Sequence, residues 1–131
     1  MLAVDTNLLV RIITEDDPDQ SPRAKRLMAE NDVFISKTVL LEAEWVLRST
    51  YRLPSHAVMQ HLRSIARLPQ VTVEDASWVA QALRWAEHGM DFADALHLAA
   101  AQDEGCDAFA TFDRKLSAAA RKAKAGRVKS L

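Results

Sequence analysis

The sequence predicts an α/β fold in which a mostly parallel central sheet of four or five strands is flanked by helices on both faces. Short apolar runs alternate along the chain with longer amphipathic segments, as in strand–helix–strand units. No two-residue hairpin signal separates the apolar runs, so helical crossovers must connect the strands. The composition, 49% hydrophobic and 27% charged, is that of a compact globular protein.

Apolar runs and helix-start signals place the individual elements. Strands are expected at residues 2–4, 33–35, 71–73 and 108–111, with a weak fifth strand at 127–130. The first helix is expected over residues 8–14, and capping residues or prolines begin the others at Ser21–Pro22, Ser36 or Thr38, Pro54, Asp75, Asp91 and Asp113. No internal repeat or flexible linker interrupts the pattern, which predicts one domain over residues 1–131.

Cysteine usage and hydropathy exclude several protein classes. Cys106 is the single cysteine, so the chain can form neither an internal disulfide nor a zinc knuckle. No apolar run approaches the roughly 18 residues that span a bilayer. We therefore expect a cytoplasmic protein with no membrane partner.

The formal net charge of −1 conceals an uneven distribution. Residues 114–131 contain seven basic residues and no acid, which leaves a net charge of −8 on residues 1–113. An acidic body with a basic end can bind cations in one place and a polyanion in another. A basic stretch that is merely solvated is the alternative reading of the same pattern.

Most acidic residues have ordinary explanations. Glu44 has Arg48 four residues further along a predicted helix, in the favourable order for an ion pair. Asp16, Asp17 and Asp19 lie in a proline-containing loop, where acids are solvated.

Four acids have no such explanation: Asp5, Glu42, Asp94 and Asp113. Asp5 and Asp113 each follow an apolar run that predicts a strand, whereas Glu42 and Asp94 lie among apolar neighbours in predicted helices. An ionised carboxylate buried without a partner costs several kcal/mol, so such groups need a cation or a raised pKa. A parallel fold can gather them at one edge of the sheet, where carboxylate oxygens would select Mg²⁺ or Mn²⁺. The alternative is that Asp94 and Asp113 complement helix dipoles and that Glu42 is half exposed.

Four ordered motifs suggest a family. They are Asp5-Thr6-Asn7, Glu42 before Trp45-Val46-Leu47, Asp91 to His97, and Thr111 to Leu116. In order and spacing the set resembles the PIN-domain family over essentially the whole chain, and most closely its VapC-type toxins of bacterial toxin–antitoxin pairs.

The resemblance implies a function and a set of site residues. The acidic quartet of the family falls on Asp5, Glu42, Asp94 and Asp113, which implies Mg²⁺ or Mn²⁺ binding and hydrolysis of RNA phosphodiesters. Asn7 and Thr111 match positions that support the acidic centre through hydrogen bonds, whereas Asp91 is expected to cap a helix. The resemblance also implies a homodimer and a cognate antitoxin protein.

The residues themselves are consistent with this chemistry. Divalent ions held by carboxylates activate water and stabilise charge on a phosphodiester, so that no side-chain nucleophile is needed. Basic residues near the end of the sequence are candidates for holding the RNA backbone: Arg114, Lys115, Arg121, Lys122 and Lys124.

Other functions place different demands on the sequence. A dehalogenase-type phosphatase needs a second acid two residues after Asp5, where this chain has Asn7. A phospho-accepting receiver domain could use Lys115 but would leave Glu42 and Asp94 unexplained. A non-catalytic PIN-like module that binds RNA or a partner, and a general RNA-processing nuclease, remain alternatives to the toxin.

Overall fold

The computed structural model describes all residues, 1–131, which divide into two compact units, Met1–Asp75 and Ala76–Leu131. The first unit contains β1 (Leu2–Ala3), α1 (Thr6–Thr14), α2 (Gln20–Glu30), β2 (Val33–Ile35), α3 (Lys37–Ser49), α4 (Ser55–Ala66) and β3 (Val71–Val73). The second contains α5 (Ala76–Glu87), α6 (Phe92–Asp103), β4 (Phe109–Thr111), α7 (Arg114–Ala123) and β5 (Val128–Ser130). The alternation predicted from the sequence is confirmed.

The first unit is built on a three-stranded parallel sheet in the order β1-β2-β3. The central strand β2 places Val33 opposite both Leu2 and Val71. Val33 and Ile35 are fully buried because helical crossovers cover a parallel sheet. Helices α1, α3 and α4 supply the other fully buried apolar side chains of this unit, which include Leu9, Leu40, Leu47, Val58 and Leu62.

The second unit pairs β4 with β5 in parallel, with Phe109 opposite Val128. Helices α5 and α6 pack against each other, and their buried residues include Val79, Ala82, Phe92, Ala95 and Leu98. The sequence predicts only a weak last strand, because residues 127–130 have few apolar side chains. The structure forms it as β5.

The parallel α/β class and all five strands are confirmed, and the strands are distributed over two sheets of three and two strands. The prediction that residues 1–131 form one domain stays a prediction. No helix is long and apolar enough to cross a membrane.

Two helix starts differ from the sequence-based positions because acidic side chains cap them. Helix α1 begins at Thr6 because the Asp5 carboxylate accepts a hydrogen bond from the Leu8 amide. Helix α2 begins at Gln20 because the Asp17 carboxylate accepts a hydrogen bond from the Gln20 amide. Ser21, the predicted cap, therefore lies buried inside the helix.

Candidate active site

Asp5 lies at the junction of β1 and α1 in the first unit. Its backbone is extended, and its Oδ1 atom accepts a hydrogen bond of 3.0 Å from the amide of Leu8. The side chain is exposed. One carboxylate oxygen thus accepts a hydrogen bond from a free amide at the start of α1, and this bond fixes the position of the Asp5 carboxylate.

Glu42 is exposed on α3 and lies beside the start of α1. The buried hydroxyl of Thr6 donates a hydrogen bond of 2.5 Å to Oε1 of Glu42. Because Thr6 directly follows Asp5, this bond holds two predicted site residues of the first unit in one neighbourhood. Sequence reasoning missed the role of Thr6, since the bond joins residues 36 positions apart.

Asp94 lies in the first turn of α6, where Asp91 caps the helix. The Asp91 carboxylate accepts a hydrogen bond of 3.0 Å from the Asp94 amide, so the capping role expected for Asp91 is present. Burial raises the pKa of Asp94, and the negative charges of Asp91 and Asp113 raise it further, while His97 acts in the opposite direction. Asp94 and Asp113 therefore share an electrostatic neighbourhood in the second unit.

Asp113 lies between β4 and α7, and hydrogen bonds to residues before and after it in the sequence hold it in place. Its Oδ1 atom accepts hydrogen bonds from the amides of Lys115 at 2.9 Å and Leu116 at 3.1 Å. Its own amide donates to the hydroxyl of Thr111 at 2.9 Å. Thr111 thus supports Asp113 through the backbone.

The ion pairs of Arg11, Arg23, Lys25 and Lys37 involve other acids: Asp16, Asp19, Glu15, and Glu74 or Asp75. Glu44 pairs with Arg48 at 2.8 Å, as their spacing in the sequence predicts. Glu42 is exposed and Asp94 is half-buried. The basic residue that acts on Asp94 is His97, which opposes the effect of the neighbouring acids.

The donor set fits a hard divalent cation in type, since all four groups offer carboxylate oxygens. The structure places Glu42 against Thr6, the residue after Asp5, in the first unit, and Asp94 within the electrostatic influence of Asp113 in the second. It gathers no group of three aspartate, glutamate, histidine or cysteine side chains that could hold a metal ion.

The remaining predicted residues lie on accessible surface. Asn7 is in the first turn of α1 and lines a cavity of about 340 Å³ between α1 and α2; its side chain makes no hydrogen bond to Asp5 or Glu42. The predicted RNA-binding residues are exposed on α7 or at its end: Arg114, Lys115, Arg121, Lys122 and Lys124.

Comparison with known proteins places the chain in a family. No curated protein sequence matches it. The crystal structure of VapC20 from Mycobacterium tuberculosis, a toxin that cleaves the sarcin–ricin loop, is similar with 28% sequence identity over 91% of this chain and 95% of that one, at a TM-score of 0.46. The PIN domain model matches residues 2–122, almost the whole sequence. The chain is thus a member of the PIN domain family.

Proposed function

We propose that this protein is a divalent-metal-dependent endoribonuclease that acts as the toxin of a bacterial toxin–antitoxin pair. Membership of the PIN family supports the proposal, together with the four acids at the positions expected for the family's acidic residues. The observation that carries it is the position of Asp94 in the first turn of α6, next to the capping carboxylate of Asp91 and within the electrostatic influence of Asp113. Clustered carboxylates are typical of a cation site.

Each proposed ligand is held by its own local structure. Asp5 and Asp113 are fixed as helix caps, and each has one carboxylate oxygen that accepts no backbone hydrogen bond. Glu42 is oriented by Thr6, and Asp94 is held in the first turn of α6. Such preorganisation lets a site favour the charge distribution of the transition state.

Mg²⁺ or Mn²⁺, bound by Asp5, Glu42, Asp94 and Asp113, would activate water and stabilise negative charge on the phosphodiester. The protein would hold the carboxylates in place, and no side chain would need to act as the nucleophile. Asn7 and Thr111 are proposed as supporting residues, and the 2.9 Å bond from the Asp113 amide to Thr111 supports that role for Thr111.

RNA would be held through its phosphates by exposed basic residues on and after α7. The members of this group are Arg114, Lys115, Arg121, Lys122 and Lys124. No acid lies between residues 114 and 131 to oppose an approaching polyanion. Arg114 and Lys115 directly follow Asp113, so phosphates bound there would lie near a proposed metal ligand.

We further propose that the protein is a cytoplasmic homodimer regulated by an antitoxin. The antitoxin would present an arginine or lysine to the acidic residues, because a basic side chain can neutralise the charge that a metal ion would neutralise. Co-expression of the adjacent small gene product should then restore growth that this protein alone arrests. Growth arrest that no such partner relieves would contradict the toxin role and favour a general RNA-processing nuclease.

The nuclease activity is tested with a single-stranded RNA labelled at one end. We expect internal cleavage with Mg²⁺ or Mn²⁺, loss of cleavage in EDTA, and recovery when the metal is restored. RNA binding without cleavage under every metal condition would contradict the enzyme and support the non-catalytic PIN-like module.

A further inference from the structure

Phe112 is the most exposed large hydrophobic residue of the chain, with 81% of its surface accessible. Single exposed apolar side chains are common, so exposure alone indicates little. The position of Phe112 is what matters, because it separates the last residue of β4 from Asp113, a proposed metal ligand.

Both neighbours of Phe112 are fixed by hydrogen bonds. The carbonyl of Thr111 accepts from the Leu131 amide at 2.9 Å, and its hydroxyl accepts from the Asp113 amide at 2.9 Å. The carbonyl of Asp113 accepts from the Ser117 amide at 3.1 Å. The ring therefore projects from a one-residue link between two anchored elements, and an aromatic side chain with two rotatable bonds loses little entropy on binding.

Phe109, at the start of β4, differs from Phe112 because it makes a ring contact within the protein. The Phe109 ring stacks on His97, with centroids 6.5 Å apart and planes 4° from parallel, and Phe109 is only partly exposed. Phe112 takes part in no such ring contact, so both of its faces are available to a ligand.

The charge around Phe112 identifies the class of ligand. Arg114 and Lys115 are exposed directly after Asp113, at the start of the acid-free basic segment 114–131. Exposed aromatic rings next to basic side chains are the combination by which proteins bind single-stranded nucleic acid, because bases stack on the ring while cations hold the phosphates.

We propose that Phe112 is a stacking platform for an unpaired nucleobase of the RNA substrate, next to the phosphate that Asp113 would serve. The inference rests on the proposed ribonuclease function and adds a base-recognition residue to it. Phe112 would therefore favour RNA that has an unstacked base beside the cleavage position, as in a loop or a single strand and not in a duplex.

The test measures binding of a fluorescein-labelled single-stranded RNA in EDTA, where cleavage does not interfere. Phe112→Ala should weaken binding about tenfold, while Phe112→Trp should keep it, because tryptophan retains a stacking surface. Phe112→Leu should bind as poorly as the alanine variant. The salt dependence of the affinity should stay unchanged in all three, since no charge is removed.

Trp45→Ala is the matched control, because Trp45 is also an exposed aromatic residue, at 57% accessibility, on a helix of the first unit. It should leave RNA affinity unchanged. A series of RNAs, each lacking one base, identifies the base that stacks on Phe112. For the RNA that lacks this base, the parent and Phe112→Ala should bind with equal affinity, because the ring has nothing to stack on.

Unchanged affinity of Phe112→Ala, or an equal loss in Trp45→Ala, would overturn the proposal. A change of oligomeric mass in Phe112→Ala with RNA affinity intact would also overturn it, since the ring would then cover a protein interface. These outcomes are independent of cleavage: an inactive parent that still binds RNA through Phe112 would refute the nuclease but not the platform.

Discussion

The hydroxyl of Thr6 donates a 2.5 Å hydrogen bond to Oε1 of Glu42, linking the residue after Asp5 to the middle of α3. Thr6 is buried, and its partner carboxylate is exposed. The bond orients Glu42 and leaves its other oxygen available to a ligand. Thr6, to which the sequence assigned no role of its own, is thereby a positioning residue.

Thr6→Val should lower RNA cleavage about 10- to 100-fold, the usual effect of removing a hydrogen-bond partner from a ligand of a catalytic metal. Valine keeps the shape of threonine and removes only the hydroxyl. Thr6→Ser, which retains the hydroxyl, should keep most of the activity. Full activity of Thr6→Val at unchanged stability would show that Glu42 needs no orientation.

Asp94→Asn should stabilise the metal-free protein at neutral pH. The pKa of Asp94 is raised by burial and by neighbouring carboxylates, so its ionised form disfavours the folded state. The stability that protonated Asp94 provides to the folded state is fully present below the pKa of Asp94 in the unfolded chain. This stability is lost as the pH rises through the pKa of Asp94 in the folded protein. We expect a gain of a few tenths of a kcal/mol, since water screens a half-exposed carboxylate.

This effect is measured by urea unfolding in EDTA at several pH values. The advantage of Asp94→Asn should shrink as the pH falls toward about 4, near the unfolded pKa of aspartate. Asp107→Asn, an exposed loop acid of the same unit, is the control and should show no such trend. An Asp94→Asn variant less stable than the parent at pH 7 would contradict the charge cluster.

Arg48→Ala should cost about 2 kcal/mol of unfolding free energy, because it leaves the buried Glu44 carboxylate without its charged partner. Glu44 has only 4% of its side chain accessible, and Arg48 has 40%. The matched control is Arg23→Ala, which breaks another pair at four-residue spacing, with Asp19, in which both side chains are 74% exposed. That loss should stay below about 0.5 kcal/mol.

Denaturant titration of both variants gives the comparison directly. Equal losses in the two would mean that burial of Glu44 adds nothing to the pair.

Neutralising Arg121, Lys122 and Lys124 together to glutamine should weaken RNA binding and flatten its salt dependence. Each lost phosphate contact lowers the slope of log affinity against log salt by about 0.7 for single-stranded RNA. The slope should therefore fall by up to about 2 when three contacts are lost. Unchanged affinity and slope would assign these residues a solubilising role.

Much of this architecture could be predicted from local sequence. The strand at Val33–Ile35 is an apolar run buried in the centre of its sheet, and Asp91 and Asp113 cap the helices that follow them. Local rules suffice there, because the interactions join residues two or three positions apart.

What the sequence could not show depends on distant contacts. The bond from Thr6 to Glu42 spans 36 positions, and β5, which the sequence predicts only weakly, is stabilised by backbone pairing with β4. The exposure of Glu42 was also hidden, since its apolar neighbours along the chain suggested burial. Strand pairing and side-chain exposure are set by tertiary structure, and the helix and strand propensities of the residues predict them only weakly.

The proposed role of the four carboxylates in metal-dependent RNA hydrolysis is measured by the cleavage rate of Asp94→Asn with saturating Mn²⁺. Asparagine keeps the shape of the side chain and removes its charge. The rate should fall roughly 100-fold or more, the scale on which one group that stabilises transition-state charge contributes. Asp107→Asn should cleave like the parent. An Asp94→Asn protein that cleaves RNA as fast as the parent would show that Asp94 has no part in the reaction.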